Sequence, residues 1–153
     1  MGLLSRAGTG RNPRGIVIVR RVKIPMKRIL FVCVENSNRS QMAEAFARMH
    51  GGGNVEVYSA GSRPAGTINP RAIAAMRELG YDLNTHSSKA LAEVPNVVFD
   101  FVATMGCGDD CPMVRAKRRA DWSIPDPKHL SPEDFRQVRD LIEQNVRRML
   151  GGL

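Results

Sequence analysis

Cysteine is scarce in this 153-residue chain, with copies at Cys33, Cys107 and Cys111 only. An odd count does not make a disulfide scaffold. It points to a reducing, cytoplasmic setting in which a thiol is free to react. Long apolar runs are absent as well. The longest, IVIV from Ile16 and ILFVCV from Ile29, fall far short of the ~20 residues that cross a bilayer. They read as strands, and no membrane association is expected. Acidic residues are missing from the first 25 positions, which carry six basic side chains, whereas residues 26–153 carry 17 basic and 15 acidic ones. Most of the net charge of +8 therefore belongs to the N-terminal segment, and no nucleic-acid partner is expected for the folded body.

Residues 1–25 lack the continuous apolar core of a signal peptide. With glycines, two prolines and little helical periodicity, they are expected to form a basic, disordered extension, just ahead of Met26 and the first convincing strand. The alternatives are a nucleic-acid or membrane-surface arm, or an edge strand made by IVIV. Residues 26–153 are expected to be one domain, since the chain's length and its 42% hydrophobic and 25% charged content suit a single core.

Lys27–Val32 is short, apolar and β-branched, as a buried parallel strand would be. Ser40–His50 sets Met42, Ala43, Phe46, Ala47 and Met49 at helical spacing before the glycines at 51–53. Val55–Ala60 alternates as a second strand. Asn69-Pro70 opens a helix whose apolar face is Ala72, Ile73, Met76 and Leu79. Ser87–Leu91 reads as a helical turn, Val97–Met105 as a third strand and Asp121–Ile124 as a short fourth. Ser131-Pro132-Glu133-Asp134 starts a last helix, with Phe135, Val138, Leu141, Ile142, Val146 and Leu150 on one face. This order predicts an open α/β sheet with helices on both faces. Ligands of such sheets sit beyond the carboxyl ends of the strands, where Cys33, Cys107 and Asp126 all fall.

Ile29–Ala45, ILFVCVENSNRSQMAEA, carries the densest chemistry. Cys33 ends the strand and Arg39 begins the helix. A lone cysteine at a strand end is usually core packing, but here a polar loop and a helix follow. A thiol and a guanidinium around such a turn can face one small oxyanion. Val34, Glu35, Asn36, Ser37, Asn38, Arg39 and Ser40 would supply the backbone N–H groups, and the helix start adds roughly +0.5 of a charge. That field favours the thiolate, the nucleophilic form, and the Ser40 hydroxyl can donate to the sulfur. Asn36 is the residue type, after glycine, that best tolerates the left-handed kink such a loop needs.

Asp126, stiffened by Pro125 and Pro127, is the candidate general acid; the plainer reading is a turn aspartate. Cys107 and Cys111 flank Gly-Asp-Asp, which suggests an exposed loop and a redox pair. The alternatives are two passive core thiols or half of a zinc site. The three histidines, His50, His86 and His129, are too scattered to complete one, so no metal and no cofactor are expected. His86 reads as a surface or helix-capping residue, and Trp122 as packing.

Taken together, Cys33-x5-Arg39-Ser40-Gln41-Met42-Ala43-Glu44 resembles the low-molecular-weight tyrosine phosphatase superfamily. Gln41–Glu44 and Thr104-Met105-Gly106-Cys107-Gly108-Asp109-Asp110-Cys111-Pro112 resemble its thioredoxin-coupled arsenate reductase branch. Ser59-Ala60-Gly61, Asp121-Trp122 and Ile124–Pro127 also fit, and the match runs from about Met26 to Leu150. The resemblance implies a four-stranded parallel sheet. It also implies attack of Cys33 on arsenate held by Arg39 and the loop amides, protonation by Asp126, and a Cys33–Cys107 then Cys107–Cys111 disulfide relay. A thioredoxin-like or other thiol reductant would reset that relay. Some positions depart from the pattern. Glu35 stands where the family usually has Gly, and Asn38 replaces a frequent cysteine. Lys128 and His129 stand where the tyrosine phosphatases show aromatic residues. A potassium site known in part of the branch maps to Asn36, Glu44 and Ser59, but its remaining carboxylate position is Lys89, so bound potassium is not expected. The competing functions are phosphoester hydrolysis through a Cys33 phosphoenzyme, and a non-catalytic oxyanion or redox sensor.

Overall fold

The computed structural model describes residues 8–11, 17–20, 26–107 and 113–153. Strands β1 (Gly8–Arg11) and β2 (Val17–Arg20) pair antiparallel as a separate two-stranded ladder. Most of the IVIV run thus pairs locally and not on the edge of the main sheet. The other residues of segment 1–25 lie outside the described residues.

The main sheet holds β3 (Lys27–Cys33), β4 (Val55–Gly61), β5 (Phe99–Thr104) and β6 (Ala116–Asp121). Their order is β4-β3-β5-β6 and every pairing is parallel. Among the described residues three α-helices accompany it: α1 (Arg39–His50), α2 (Pro70–Arg77) and α3 (Pro132–Gly151). This is the expected open, four-stranded parallel α/β sheet, but the helices do not lie on both faces. The buried apolar residues of all three join one core, and the other face is covered by Leu91, Val94 and Val97, whose segment forms a short 3-10 turn and no long helix. The starts of α2 and α3 follow from their sequences. Asn69 caps α2 by accepting the Arg71 N–H at 2.9 Å, and Ser131 caps α3 by accepting that of Asp134 at 3.1 Å. Each helix then has proline in its first turn.

Two local readings need correction. The fourth strand is Ala116–Asp121 and not Asp121–Ile124. Its sequence, AKRRAD, lacks an apolar alternation because β6 is an edge strand, where charged side chains face water and block further pairing. The apolar signal of Trp122 and Ile124 comes from packing. Trp122 lies against Phe31, with ring centroids 5.9 Å apart, and Ile124 is buried in the core. The Ser87–Leu91 stretch is not a helical turn either. Short 3-10 turns lie beside it, at Leu83–Thr85 and Leu91–Glu93, and Ala90 bridges to Gly61 as a parallel partner.

Successive residues of β3 point to opposite faces of the sheet. Ile29, Phe31 and Cys33 join the larger core, which is filled by Met42 and Phe46 of α1, Met76 of α2, and Phe135 and Ile142 of α3. Leu30 and Val32 face a smaller cluster with Ala60, Phe99, Val102 and Cys107. That second face is covered by Leu91 of the 3-10 turn and by Val94, Val97 and Val114. No described helix is long and apolar enough to cross a membrane.

The register brings the carboxyl ends of the strands level, with Cys33 opposite Gly61 on one side and Val32 opposite Thr104 on the other. Gly61 has no room for a side chain. A Cβ there would sit 2.6 Å from the Val34 carbonyl oxygen and 3.0 Å from the Asn36 nitrogen. Gly61→Ala should therefore push on the loop after β3 and cost about 1–3 kcal/mol, read as a lower urea midpoint. An unchanged midpoint would show that the loop yields freely.

Candidate active site

Chain reversal after β3 builds the site. Cys33 is the last residue of that strand and Arg39 the first of α1. Between them Asn36 adopts φ 49°, the one positive φ outside glycine among the described residues. Its amide fixes this conformation from behind. Asn36 Oδ1 accepts from Lys89 N at 2.9 Å and Gln41 Nε2 at 2.8 Å. Asn36 Nδ2 donates to Ser40 Oγ at 2.7 Å and Ser59 Oγ at 3.0 Å. All four side-chain bonds fall inside the protein, so the kink is held by the fold and not by local preference alone.

The same bonds orient the Ser40 hydroxyl. Its oxygen already accepts from Asn36, which leaves its hydrogen for the Cys33 sulfur 2.8 Å away. A hydroxyl donating to sulfur stabilises the thiolate over the thiol. Cys33 is a free thiol, nearly buried. It borders a pocket of about 270 Å³ lined by Val34, Glu35, Ser37, Asn38, Arg39, Gly106 and Asp126. Helix α1 has no side-chain cap at Asn38; its first amides are the groups that an anion takes at a helix start.

Arg39 reaches across the pocket from its buried base. Its Nη1 donates to the Ile124 carbonyl at 3.0 Å, and its Nη2 lies 3.9 Å from Asp126 Oδ2. Gly106, at φ 76°, leaves the space that the guanidinium fills; a Cβ there would collide with it. Asp126 is half exposed, and its Oδ1 accepts the Lys128 N–H at 3.1 Å. So Cys33 and Arg39, at the two ends of one loop, and Asp126, from the loop after β6, face one cavity at the carboxyl edge of the sheet. Val34, Glu35, Ser37 and Asn38 line it too, while Asn36 and Ser40 are fully buried behind it.

Cys107 departs from expectation. It is buried in the smaller cluster on the opposite face from Cys33, not in an exposed loop, because it follows β5 with its side chain on the Leu30 and Val32 side. It does not line the pocket, and it is disulfide-bonded. Cys111 lies outside the described residues.

Sequence reasoning missed the polar layer behind the loop. Ser59 Oγ donates to Glu44 Oε1 at 2.6 Å, and Glu44 Oε2 pairs with Arg48 Nη2 at 2.8 Å. Gln41 accepts from His86 Nδ1 at 2.9 Å, and His86 Nε2 lies 2.6 Å from the Tyr81 hydroxyl. Since Nδ1 carries the proton, Tyr81 donates to Nε2. The His86 side chain is therefore a buried tether and not a surface group, while its backbone N–H caps the 3-10 turn Leu83–Thr85, as expected of a capping residue, by donating to the Leu83 carbonyl at 3.1 Å. The available signal was a run of polar residues, Arg39, Ser40, Gln41 and Glu44, within the first turns of a helix that is otherwise core. All four are buried. Potassium does not fit this layer. Lys89 Nζ already lies 3.9 Å from Glu44 Oε1, and Arg48 holds the other oxygen, so the carboxylate has its cations.

A family model described as low molecular weight phosphotyrosine protein phosphatase matches residues 28–153. The chain belongs to that family. Its relatives include a glutaredoxin arsenate reductase of Synechocystis, 37% identical over 82% of this chain and 97% of the relative. A solved arsenate reductase in its phosphate-binding state superposes with TM-score 0.73 at 34% identity, covering 83% of this chain and 98% of that one. A thioredoxin-dependent arsenate reductase of Corynebacterium glutamicum gives TM-score 0.70 at 33% identity, over 86% of this chain and 63% of that one.

Two outcomes follow from this geometry. Ser40→Ala should slow alkylation of Cys33 by iodoacetamide at pH 6 about tenfold, the scale of one hydrogen bond to a charged group; an unchanged rate would show that the hydroxyl does not support the thiolate. Burial pushes the His86 pKa below its ordinary 6.5, against the pull of Glu44. The folded state holds this imidazole neutral, while the unfolded chain protonates it near 6.5. The stability it contributes is complete above that pH and is lost as pH falls through the lowered folded value. Urea midpoints from pH 7.5 to 5 should fall more steeply for the wild type than for His86→Gln; parallel curves would refute the assignment.

Proposed function

We propose that the protein is an arsenate reductase that works through Cys33, Cys107 and Cys111. The observation that carries this reading is the convergence of a free, hydroxyl-supported Cys33 sulfur, the Arg39 guanidinium and the Asp126 carboxyl on one small polar pocket. Its company supports it: the relatives named above are arsenate reductases, and one solved relative is described in a phosphate-binding state. Phosphate and arsenate share tetrahedral shape and charge.

In this reading Arg39 and the loop amides hold arsenate against the Cys33 thiolate. The sulfur bonds to arsenic, and Asp126 gives its proton to the departing oxygen, which leaves as water. The Cys107 thiolate then attacks the Cys33 sulfur. A disulfide forms, the sulfur–arsenic bond breaks, and its electron pair stays on arsenic, which leaves as arsenite. Arsenic gains the two electrons that two thiols lose. Cys111 next displaces Cys33 from Cys107, and an external dithiol reduces the Cys107–Cys111 pair. A free Cys33 beside an oxidised Cys107 is the division expected once the relay has run and before the reductant acts. Since Cys107 sits in the other face's core, it has to leave that cluster to reach Cys33, which makes its release a candidate slow step. Among the relatives one is named for glutaredoxin and one for thioredoxin, and either kind of donor suits an exchange between thiols. Given this mechanism the protein would act in a reducing compartment such as the cytoplasm.

Phosphoester hydrolysis would use Cys33, Arg39 and Asp126 alone. One assay series separates the readings. With arsenate and a thioredoxin or glutaredoxin system, the wild type should release arsenite. Cys33→Ser should abolish turnover. Cys111→Ser should stop it after one cycle, and Asp126→Asn should lower it about 10²–10⁴-fold. Full multiple turnover by Cys111→Ser would refute the relay. Hydrolysis of an aryl phosphate without arsenite formation would favour the phosphatase. Binding of arsenate at Cys33 with neither reaction would favour a sensor.

A further inference from the structure

A charged bridge joins the two walls of the pocket. Glu35, in the loop after β3, is one of its lining residues. Lys128 follows two residues after Asp126, in the loop beyond β6. Lys128 Nζ lies 3.1 Å from Glu35 Oε1 and 3.5 Å from Oε2. Both ends are anchored. The Glu35 carbonyl accepts from Ser88 Oγ at 3.1 Å and from Ala65 N at 2.9 Å, while the Lys128 N–H is bound to Asp126.

We propose that Glu35 and Lys128 form a specificity latch over the oxyanion pocket. The ammonium cancels a carboxylate that would otherwise repel the anion. The joined side chains also bridge the opening through which the organic part of a phosphoester would pass, so that a free inorganic oxyanion is preferred to its esters. This deepens the proposed function and rests on its reading of the pocket as a tetrahedral oxyanion site.

Three considerations carry the inference. Both side chains are well exposed, at 41% and 44%, and an exposed pair adds little to folding. Stability alone gives no reason for it. Next, Arg39 is the one cationic side chain among the described residues that line the pocket, and it already faces the Asp126 carboxyl and the Cys33 sulfur. An uncompensated Glu35 would add a negative charge at the mouth and oppose entry of an anion. Finally, discrimination between ligands that share one head group comes from what blocks the remainder of the larger one. The pair connects the loop that holds the head group to the loop that carries Asp126, which is where the remainder must lie.

One assay tests both halves: protection of Cys33 from iodoacetamide by inorganic phosphate or by phenylphosphonate, a non-hydrolysable ester mimic, on the full chain. Lys128→Ala should raise the half-protecting phosphate concentration about five- to tenfold at 20 mM salt, and by less at 500 mM, where screening weakens repulsion. The double variant Glu35→Ala, Lys128→Ala should bind phosphate at least threefold more tightly than Lys128→Ala alone. Glu35→Ala should shift the preference for phenylphosphonate over phosphate at least fivefold. Equal protection of Lys128→Ala and wild type, or a double variant as weak as Lys128→Ala, would overturn the charge-cancelling role. An unchanged ligand preference in Glu35→Ala would overturn the bridging role. Should millimolar phosphate fail to protect even the wild type, the oxyanion site itself falls, and the latch with it.

Discussion

The backbone reversal at Asn36 is the constraint on which the rest of the site depends. An L residue enters the left-handed region at a cost, and asparagine does so with less penalty than most. What keeps it there is its amide, which bonds to Ser40, Ser59, Gln41 and the backbone of Lys89. These partners come from α1, from β4 and from the segment before the 3-10 turn at Leu91–Glu93. One side chain thus ties three parts of the fold to the loop. It also fixes the Ser40 oxygen as an acceptor, which leaves the hydroxyl hydrogen for the Cys33 sulfur. Backbone geometry and thiol chemistry are set by the same hydrogen bonds.

Around this kink the protein keeps its charges compensated in layers. Deep in the fold, Glu44 is paired by Arg48 and approached by Lys89. At the pocket, Arg39 lies near Asp126 and is steadied by the Ile124 carbonyl. At the mouth, Glu35 meets Lys128. The polar layer behind the loop is buried, so each of its members must find a partner inside the protein. Such a layer holds the loop still, and the pocket is pre-organised before any ligand arrives.

The sheet also separates the reactive sulfurs. Cys33, on β3, points toward the helices, whereas the chain turns at Gly106 beyond the end of β5 and leaves Cys107 in the smaller cluster on the opposite face. The proposed thiol relay between them would ask for movement, whereas the proposed capture of an oxyanion would ask for rigidity, and these demands would fall on different segments. The loop at Cys33 is bound by many hydrogen bonds. Gly106, next to Cys107, has φ 76°, a conformation open to glycine at little cost.

Local chemistry was readable in order along the chain. A strand, a polar loop and a helix announce an anion site because their residue types and spacing impose it: Cys33 at a strand end, Asn36 where a kink is needed, Arg39 at a helix start. The starts of α2 and α3 were readable for the same reason, since Asn69-Pro70 and Ser131-Pro132 act on their own next few amides. The parallel sheet followed from the alternation of elements. The sequence could not place β6, because an edge strand of basic residues has no apolar period to detect, and the nearby Trp122 and Ile124 carried a stronger but misleading signal. Nor could it show that His86 is buried or that Cys107 faces away from Cys33. Nor could it show that Glu35 and Lys128, 93 residues apart, meet across the pocket. These are contacts between distant segments. They depend on strand order and register, and so only the tertiary structure decides them.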